Sequence, residues 1–391
     1  MISVSDALEH LFELANPMET ELVSLREAAG RVLAENVTAS RTQPPFNASS
    51  MDGYALRAAE VEADAMFKVI GEAAAGRSFA GHVNAGQCVR IFTGAPMPEG
   101  TDFVVIQEDV ERRDNLITLG RDMDGKSNVR PAGGDFFEGS IVSSPRMLGA
   151  ADVALLAAMN LPQLPVFKRP TVAILATGDE LVAPGETPAP DQIIASNSYG
   201  LAAQLEGLGA SARILPIAKD TQTSLKTALS LTEGADLIVT IGGASVGDYD
   251  IVADVAGELG MEQSFYKVAM RPGKPLMAGS LNGVPMIGLP GNPVSSLVCG
   301  TIFVRPFVRA MLGLGKAAAP RSMGTLAAPL PKNGPREHYM RAAFENDGLR
   351  AFERQDSSLL TVLAGADALL VRPPHDPPQP AGAEIEFIPL R

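Results

Sequence analysis

The chain has 391 residues, of which 46% are hydrophobic and 20% are charged, and its formal net charge at pH 7 is −13. This composition is typical of a globular protein with about two to four domains. The acidic balance, without any Lys/Arg-rich run, argues against nucleic acid or an anionic membrane as a partner.

The first predicted element is a helix over 3–15, because Ser3 and Asp6 form a capping-box pattern ahead of apolar residues at helical spacing. The acidic residues of this segment are unlike the start of a signal peptide. No window of about 18 uncharged apolar residues predicts a membrane span. Only two cysteines, Cys88 and Cys299, and four scattered histidines occur, which argues against a thiolate or imidazole metal centre and favours the cytoplasm.

A β-rich region is predicted from about 22 to 140, where short apolar runs are separated by Gly, Pro and Asp-Asn turns. A second helix is predicted over 147–160. Prolines 162, 165 and 170 then indicate a linker.

After this linker, strands and helices alternate. Buried strands are predicted over 171–178, 212–218, 236–243, 264–270, 274–281 and 284–291, and helices over 196–209, 220–231, 251–260 and 293–312. This rhythm predicts a doubly wound, mostly parallel sheet. Residues 320–391 return to short strands and prolines, which predicts a small C-terminal β domain.

Ligands of open α/β sheets bind beyond the carboxyl ends of the strands, and four loops at those ends carry polar side chains. Their carboxylates are Glu180, Asp220, Asp248 and Asp250, and their cations are Lys267, Arg271 and Lys274. Backbone N–H groups and a hydroxyl come from Gly242, Gly243, Ser245, Gly291 and Asn292. Because N–H groups and cations hold phosphate, and carboxylates hold the Mg²⁺ that bridges phosphate oxygens, this set predicts a nucleotide-like diphosphate with magnesium.

Each of these residues also has a structural interpretation. Asp220 could cap the following helix, the pair Gly242–Gly243 could allow a helix to approach the strand, and the Gly-Asn-Pro stretch ending at Pro293 could be a tight helix entry. The convergence of four loops on one predicted sheet edge favours the functional interpretation.

A second polar segment, QPPFNASSMDGYAL (43–56), lies far from these loops in the sequence. Its prolines stiffen the chain, and Asp52-Gly53-Tyr54 is a compact turn. Asp52 is therefore either a turn residue that satisfies backbone donors or a carboxylate presented by a rigid loop, and its pattern alone leaves both possibilities open.

Six motifs follow one another along the chain: PPFNASSMDGYAL, IFTGAPMP, ILATGDEL, IGGASVGDYD, VAMRPGKP and GLPGNPVSS. Together they resemble the MoeA family of molybdopterin molybdotransferases, to which the C-terminal domain of the eukaryotic scaffold gephyrin is also similar. The resemblance covers essentially the whole chain. It implies a homodimer of elongated, L-shaped subunits. Their domains would be an elongated helical or linker domain (1–25 and 141–168), a β-rich inserted domain (26–140), a doubly wound molybdopterin-binding domain (169–315) and a β-barrel-like domain (316–391).

The implied reaction inserts molybdate into adenylylated molybdopterin and releases AMP with the help of Mg²⁺. The resemblance implies a cleft shared between subunits, which would bring Asp52 and Thr93 of one subunit to the sheet edge of the other. It implies that Glu180, Asp220 and Asp250 are metal-site or catalytic acids and that Lys267 and Arg271 contact phosphate or molybdate. Pro290 and Pro293 would shape the cleft, and Arg130, Asp135 and Ser357 match more loosely. Many relatives carry Lys at the position of Arg271, so the molybdate contact could become bidentate here.

Two other functions compete with this interpretation. An ATP-dependent molybdopterin adenylyltransferase would use a similar α/β domain alone, but the SSMDGY segment and the C-terminal β domain argue against it. A gephyrin-like scaffold should show a long disordered linker or a fused extra domain, and neither is evident in the sequence. Other cofactor-biosynthesis proteins and recipient molybdoenzymes would be further partners of the transferase.

Overall fold

A computed structural model describes residues 1–123, 125–243 and 251–390. The elements up to residue 167 are, in chain order, α1 (Val4–Leu14), β1 (Thr20–Ser24), β2 (Val32–Leu33), β3 (Val37–Thr38), β4 (Ala48–Ser49), β5 (Gly53–Leu56), β6 (Met66–Ala73), β7 (Gln87–Ile91), β8 (Phe103–Ile106), β9 (Val110–Arg113), β10 (Leu116–Leu119), β11 (Val129–Arg130), β12 (Ile141–Val142), β13 (Arg146–Met147), α2 (Ala150–Ala158) and β14 (Gln163–Phe167). Single 3₁₀ turns occur at Leu25–Glu27, Ala58–Glu60 and Gln107–Asp109.

These strands form two main sheets. A four-stranded sheet has the order β1-β14-β2-β13, and a six-stranded sheet has the order β8-β5-β7-β6-β10-β9. Two short pairs, β12 with β3 and β11 with β4, lie between them in the chain. The predicted β-rich character of this region is confirmed, whereas the domain boundaries within it stay a prediction.

The middle of the chain is an α/β unit. Its elements are β15 (Thr171–Ala176), β16 (Leu181–Val182), β17 (Ile193–Ile194), α3 (Asn197–Glu206), β18 (Ser211–Ile214), α4 (Gln222–Ser230), β19 (Leu237–Ile241), α5 (Ile251–Glu258), β20 (Glu262–Tyr266), β21 (Met270–Arg271), β22 (Met277–Leu281), β23 (Val284–Leu289), α6 (Pro293–Cys299), a π-helical turn (Gly300–Val304) and α7 (Arg305–Met311).

The sheet of this unit has the order β18-β15-β19-β23-β22-β20. Its first four strands pair in parallel and the last two pair antiparallel. Helices α4 and α5 pack on one face, and α3, α6 and α7 pack on the other. The prediction of a doubly wound, mostly parallel sheet is therefore confirmed.

Helix α1 completes one face of this sheet. Its capping box forms as expected, since Ser3 Oγ accepts from the Asp6 N–H at 3.1 Å and the Ser3 N–H donates to Asp6 Oδ2 at 3.2 Å. The apolar side chains at Val4, Leu8 and Leu11 join the same hydrophobic cluster as the sheet. The predicted division, which stays a prediction, places this helix in a domain with residues 141–168, whereas most of its hydrophobic neighbours belong to the α/β unit.

The segment Pro293–Met311, which runs through α6 and α7, is long and apolar enough to cross a membrane by length and composition. It is 83% buried inside the protein, against the sheet and α3. Such burial is typical of the core helix of a folded domain rather than of a membrane span.

The C-terminal part is a curled sheet. Its elements are β24 (Ser322–Thr325), β25 (Glu337–Glu345), β26 (Gly348–Ala351), α8 (Leu360–Ala364), β27 (Ala368–Arg372) and β28 (Glu384–Pro389). The strand order is β21-β25-β27-β28-β24, with β26 paired to β25. A bridge joins Leu326, just after β24 at one end of this path, to Leu349 on β26, so the sheet curls round on itself, which agrees with the predicted barrel-like shape.

We expect Leu11→Ala to lower the free energy of unfolding of the α/β unit by about 2–5 kcal/mol, because this side chain is fully buried beneath α1 and its loss leaves a cavity. Urea unfolding followed by circular dichroism measures the change. Leu22→Ala is the matched control: Leu22 is 67% exposed, so its removal should change stability by less than about 0.5 kcal/mol. Equal effects of both substitutions would contradict the packing of α1.

Candidate functional site

The carboxyl ends of the parallel strands form one edge of the sheet, where backbone hydrogen bonds connect the loops to one another. The Thr177 N–H donates to the Ile241 carbonyl at 2.9 Å, the Gly178 N–H donates to the Ala218 carbonyl at 3.1 Å, and the Gly242 N–H donates to the Leu289 carbonyl at 3.1 Å. Because these bonds tie successive loops to one another, the edge places residues from four separate motifs side by side.

Gly242 is required by the closeness of two of these loops. Its φ of +96° is in the left-handed region, and a Cβ atom there would lie 2.5 Å from the Thr177 carbonyl oxygen. The alternative interpretation of this glycine as a close-packing residue is thus correct for its backbone. Close packing also brings its own N–H group to the edge.

Three carboxylates meet beside this edge. The Asp220 N–H donates to Asp179 Oδ1 at 3.2 Å. The pKa of Asp220 is raised above its ordinary value, first by partial burial of the carboxyl group and then by the negative charges of Asp179 and Glu180. The structure therefore brings Glu180 and Asp220 together and adds Asp179, which had not been chosen as a site residue although it lies inside the TGDE motif.

Three candidate residues of the GGASVGDYD motif, Ser245, Asp248 and Asp250, lie outside the described residues. Within the described parts of the chain, no group of three or more His, Cys, Asp or Glu side chains is already arranged as a metal site. Neighbouring carboxylates that form no ion pair with another described residue are nevertheless a donor set that suits a hard divalent cation.

The candidate cations lie in the loop that joins β20 to β22 at the same edge. Lys267 has a φ of +70°, and its Nζ lies 4.6 Å from the centre of the Tyr266 ring. Lys274 accepts backbone hydrogen bonds through its carbonyl from Val268 and Leu276, which fixes the turn. Arg271 lies on β21, which pairs with β25 of the C-terminal sheet opposite His338.

A buried cationic cluster next to Arg271 was not anticipated from the sequence. Arg341 is fully buried, yet its Nε and Nη1 have no hydrogen-bond partner among the described residues. Burial, followed by the charges of Arg271, Arg341, Arg372 and Arg336, lowers the pKa of His338 to about 4. At neutral pH the histidine is therefore uncharged, and the positive charges around it come from the arginines, of which Arg372 is paired with Asp376. Four arginines spread over 100 residues of sequence gave no local pattern.

The C-terminal sheet reaches the edge through Ser357. Its carbonyl accepts from the Val294 N–H at 3.0 Å, at the start of α6, and the neighbouring Asp356 carbonyl accepts from Arg341 Nη2 at 3.1 Å. The loosely matched Ser357 is thus placed between the arginine cluster and the loop of Pro290, which also carries Gly291, Asn292 and Pro293.

Two further polar residues at this edge were missed. Asn197 Nδ2 donates to the Gly291 carbonyl at 2.7 Å, which joins the start of α3 to the loop before α6. Thr177 is 3% exposed and its hydroxyl has no partner among the described residues. Both line a pocket with Ile193, Ile194 and Pro293. The one sequence signal for each residue is its position, since Thr177 follows a strand and Asn197 begins a helix.

The Asp52 carboxylate is held in place by Thr93. The Thr93 N–H and the Thr93 hydroxyl both donate to Asp52 Oδ1 at 2.8 Å. These bonds lower the pKa of Asp52 below its ordinary value, with the backbone bond as the largest cause and a smaller contribution from the charge of Arg90. Arg130 pairs with Ala48 on β4, and the Asp135 N–H donates to the Gln43 carbonyl, so both flank the same loop.

The candidate residues therefore form two groups in one chain. Among the described residues, no hydrogen bond or ion pair joins Asp52 or Thr93 to Glu180, Asp220 or Arg271. One group sits on the N-terminal β-rich region, and the other sits where the α/β unit meets the C-terminal sheet.

Three family models match consecutive parts of the chain. The MoeA N-terminal region (domain I and II) matches residues 2–160, a probable molybdopterin binding domain matches residues 173–310, and the MoeA C-terminal region (domain IV) matches residues 323–390. Together they account for nearly all of the sequence.

Relatives of similar length confirm this match. The chain is 36% identical to a molybdopterin molybdenumtransferase of Nostoc sp. over 393 aligned residues, which cover 95% of this chain and 90% of that protein. It is 32% identical to molybdopterin molybdenumtransferase 2 of Mycobacterium tuberculosis over 99% of both chains. The crystal structure of the molybdopterin biosynthesis MoeA protein from Pyrococcus horikoshii OT3 superposes with a TM-score of 0.84 and 26% identity, over 99% of both chains.

We expect Thr93→Val to raise the pKa of Asp52 toward its ordinary value, because one of its two donors is lost while the Thr93 N–H remains. Carbon-detected NMR titration of the carboxyl group measures the shift, and Thr93→Ser, which keeps the hydroxyl, is the control. Since the native pKa is lowered, this contact stabilises the fold above the ordinary Asp pKa and the stabilisation is lost as the pH falls through the native value. An unchanged titration in Thr93→Val would show that the hydroxyl does not hold the carboxylate.

Proposed function

The chain belongs to the MoeA family, and on this premise we propose that it inserts molybdate into adenylylated molybdopterin with release of AMP, in a reaction that depends on Mg²⁺. Its relatives are molybdopterin molybdenumtransferases, and the chain is an enzyme of molybdenum cofactor biosynthesis. The finer description, with its substrates, metal and residues, is the proposal.

The observation that carries this proposal is that the loop before α6 connects a group of carboxylates with a group of arginines. Leu289, just before this loop, bonds to Gly242 at the sheet edge that carries the carboxylates, and Val294, just after it, bonds to Ser357 beside the arginines. Asp179, Glu180 and Asp220 form the acidic side, and Arg271 with the buried Arg341 forms the cationic side. A substrate that bears both a diphosphate and a second oxyanion needs both kinds of group. The carboxylates suit the cation that accompanies the diphosphate, and the arginines suit molybdate.

Arg341 supports the assignment of an oxyanion to the cationic side. Two of its N–H-bearing nitrogens are buried and have no partner within the described parts of the chain, and an unsatisfied buried donor costs about 1–3 kcal/mol. A tetrahedral oxyanion such as molybdate would accept from these donors and from Arg271. Arginine at position 271 offers two parallel donors where lysine would offer a point charge.

Glu180 and Asp220, with Asp248 and Asp250 as further ligands, would hold Mg²⁺. The bound ion would neutralise charge on the phosphate oxygens of the adenylylated substrate. The backbone N–H groups of Gly243, Gly291 and Asn292 would orient the phosphates, together with Ser245, Lys267 and Lys274. Gly242, whose N–H already donates to the Leu289 carbonyl, would contribute by letting the loops approach closely. Pro290 and Pro293 would keep their loop rigid.

Asp52 would act on the leaving group from the partner subunit. Its Oδ1 is fixed by Thr93 and its low pKa keeps it ionised at neutral pH, so it can orient a water or a substrate hydroxyl at the reacting phosphate. The separation of Asp52 from Glu180 within one chain supports a homodimer in which each cleft combines both groups. Recipient molybdoenzymes and other cofactor-biosynthesis proteins would be transient partners in the cytoplasm.

The alternatives fit the structure less well. A molybdopterin adenylyltransferase would need only the α/β unit, yet the C-terminal sheet supplies Arg341 and Ser357 to the same edge. A purely scaffolding role would leave the unpartnered donors of Arg341 without a purpose.

We expect Asp52→Ala to leave the fold intact and to slow AMP release by about 10²–10³-fold, as is usual when a positioned electrostatic group is removed. The melting temperature should stay close to that of the unchanged protein, because Asp52 lies on a loop surface where truncation opens no cavity. Single-turnover AMP release with adenylylated molybdopterin, molybdate and Mg²⁺ is measured on the preparation used for melting. A lower melting temperature with normal turnover would instead make Asp52 a turn residue.

We expect mixtures of Asp52→Ala and Glu180→Ala chains to regain activity after subunit exchange, because a mixed dimer contains one cleft with both native groups. We expect each variant alone to be slowed by at least about 10²-fold, so a large recovery would come from the mixed dimer. Separately tagged chains verify the exchange, and light scattering verifies the dimer. A monomer at micromolar concentration, or verified exchange without recovery, would contradict the shared cleft.

A further inference from the structure

Arg90 on β7 has a guanidinium group that is held on several sides at once. Its Nη1 donates to the Gly53 carbonyl at 3.1 Å and its Nη2 donates to Gln107 Oε1 at 2.5 Å. The guanidinium carbon lies 5.1 Å from the centre of the Tyr54 ring and 4.8 Å from that of the Phe92 ring. Two hydrogen bonds and two aromatic faces together leave this side chain little freedom.

The atoms that Arg90 holds belong to the backbone beside Asp52. The Gly53 carbonyl accepts from Arg90, and the Asp52 carbonyl accepts from the Gln107 N–H at 3.1 Å. Gly53 has no side chain that could anchor the turn, because a Cβ atom there would lie 2.0 Å from the Val105 carbonyl oxygen. The backbone at Gly53 is held by the pairing of β5 with β7 and β8, and Arg90 and Gln107 add hydrogen bonds to the carbonyls of residues 52 and 53.

Arg90 also differs from other arginines of the same sheet. Arg77 pairs with Glu72 and Arg121 pairs with Asp64, both on exposed surface. Among the described residues, Arg90 forms no ion pair with a carboxylate, and both of its hydrogen-bond partners are neutral. Arg90 lies near the Asp52 carboxylate but bonds to a backbone carbonyl and a side-chain amide. This arrangement is typical of a residue that holds the backbone in place.

We propose that Arg90 is a positioning residue for the Asp52 carboxylate. Arg90 and Gln107 fix the backbone of residues 52 and 53, Thr93 fixes Oδ1, and the second carboxylate oxygen is thereby aimed in one direction. This inference rests on the proposed function, since the direction of the Asp52 carboxylate affects the rate only if Asp52 takes part in the reaction.

The test is a double-mutant cycle on the full-length protein with AMP release as the assay. We expect Arg90→Met, which keeps the stem between the two rings, to lower kcat by about 10²-fold while KM stays unchanged, the size of effect that follows a misplaced catalytic group. In an Asp52→Asn background, the same substitution should cause no further loss. Arg113→Met is the control, because Arg113 is an exposed arginine at the far edge of the same sheet.

Two further variants keep the test decisive. Gln107→Met removes the acceptor of Arg90 and should lower kcat in the same direction, also without effect in Asp52→Asn; it replaces Arg90→Met if that variant does not fold. Arg90→Lys keeps the charge but cannot reach both acceptors, so full activity in it would overturn the proposal. Additive losses in the cycle, or a change in KM alone, would also overturn it. Inactivity of the unchanged protein would instead count against the proposed function.

Discussion

The parallel pairing of β15 with β19 is the interaction on which the rest of the site depends. Its register, from Val172 opposite Leu237 to Ala176 opposite Ile241, decides that both strands end at the same level. The loops after them then meet, and Gly242 fits against Thr177 only because of that level. A shift of one residue would turn every buried side chain of the strand to the other face, so the same packing that forms the core also fixes the site.

Much of this arrangement could be predicted from the sequence because it depends on short patterns. Alternating strands and helices indicated the doubly wound sheet, and the rule that ligands bind at carboxyl ends placed Glu180, Asp220 and Gly291 on one edge. Arg341 and Arg90 could not be predicted, since each acts through groups that the fold brings from distant strands. Asp179 could have been chosen as a site residue. It is adjacent to Glu180 in the sequence, however, and the sequence gives no sign of which of these two carboxylates faces the neighbouring loops.

The C-terminal sheet is better understood as part of the site than as an appendage. Strand β21, which lies in the α/β half of the sequence, pairs with β25, and the Ser357 carbonyl bonds to the start of α6. Arg341 is thereby held between two units of structure. Such a position explains how an arginine can be fully buried with two donors that have no partner among the described residues: the surrounding backbone determines its place.

The packing of α1 has a consequence for how the chain folds during synthesis. Helix α1 leaves the ribosome well before the strands it covers, β20 and β22, which come about 250 residues later, at about 5–20 residues per second. Its apolar face, with Leu8 and Leu11, must therefore stay uncovered for many seconds while the β-rich region is made. Contacts so far apart in sequence slow folding. The α/β unit consequently cannot close its core until β20 and β22 have been made, long after α1.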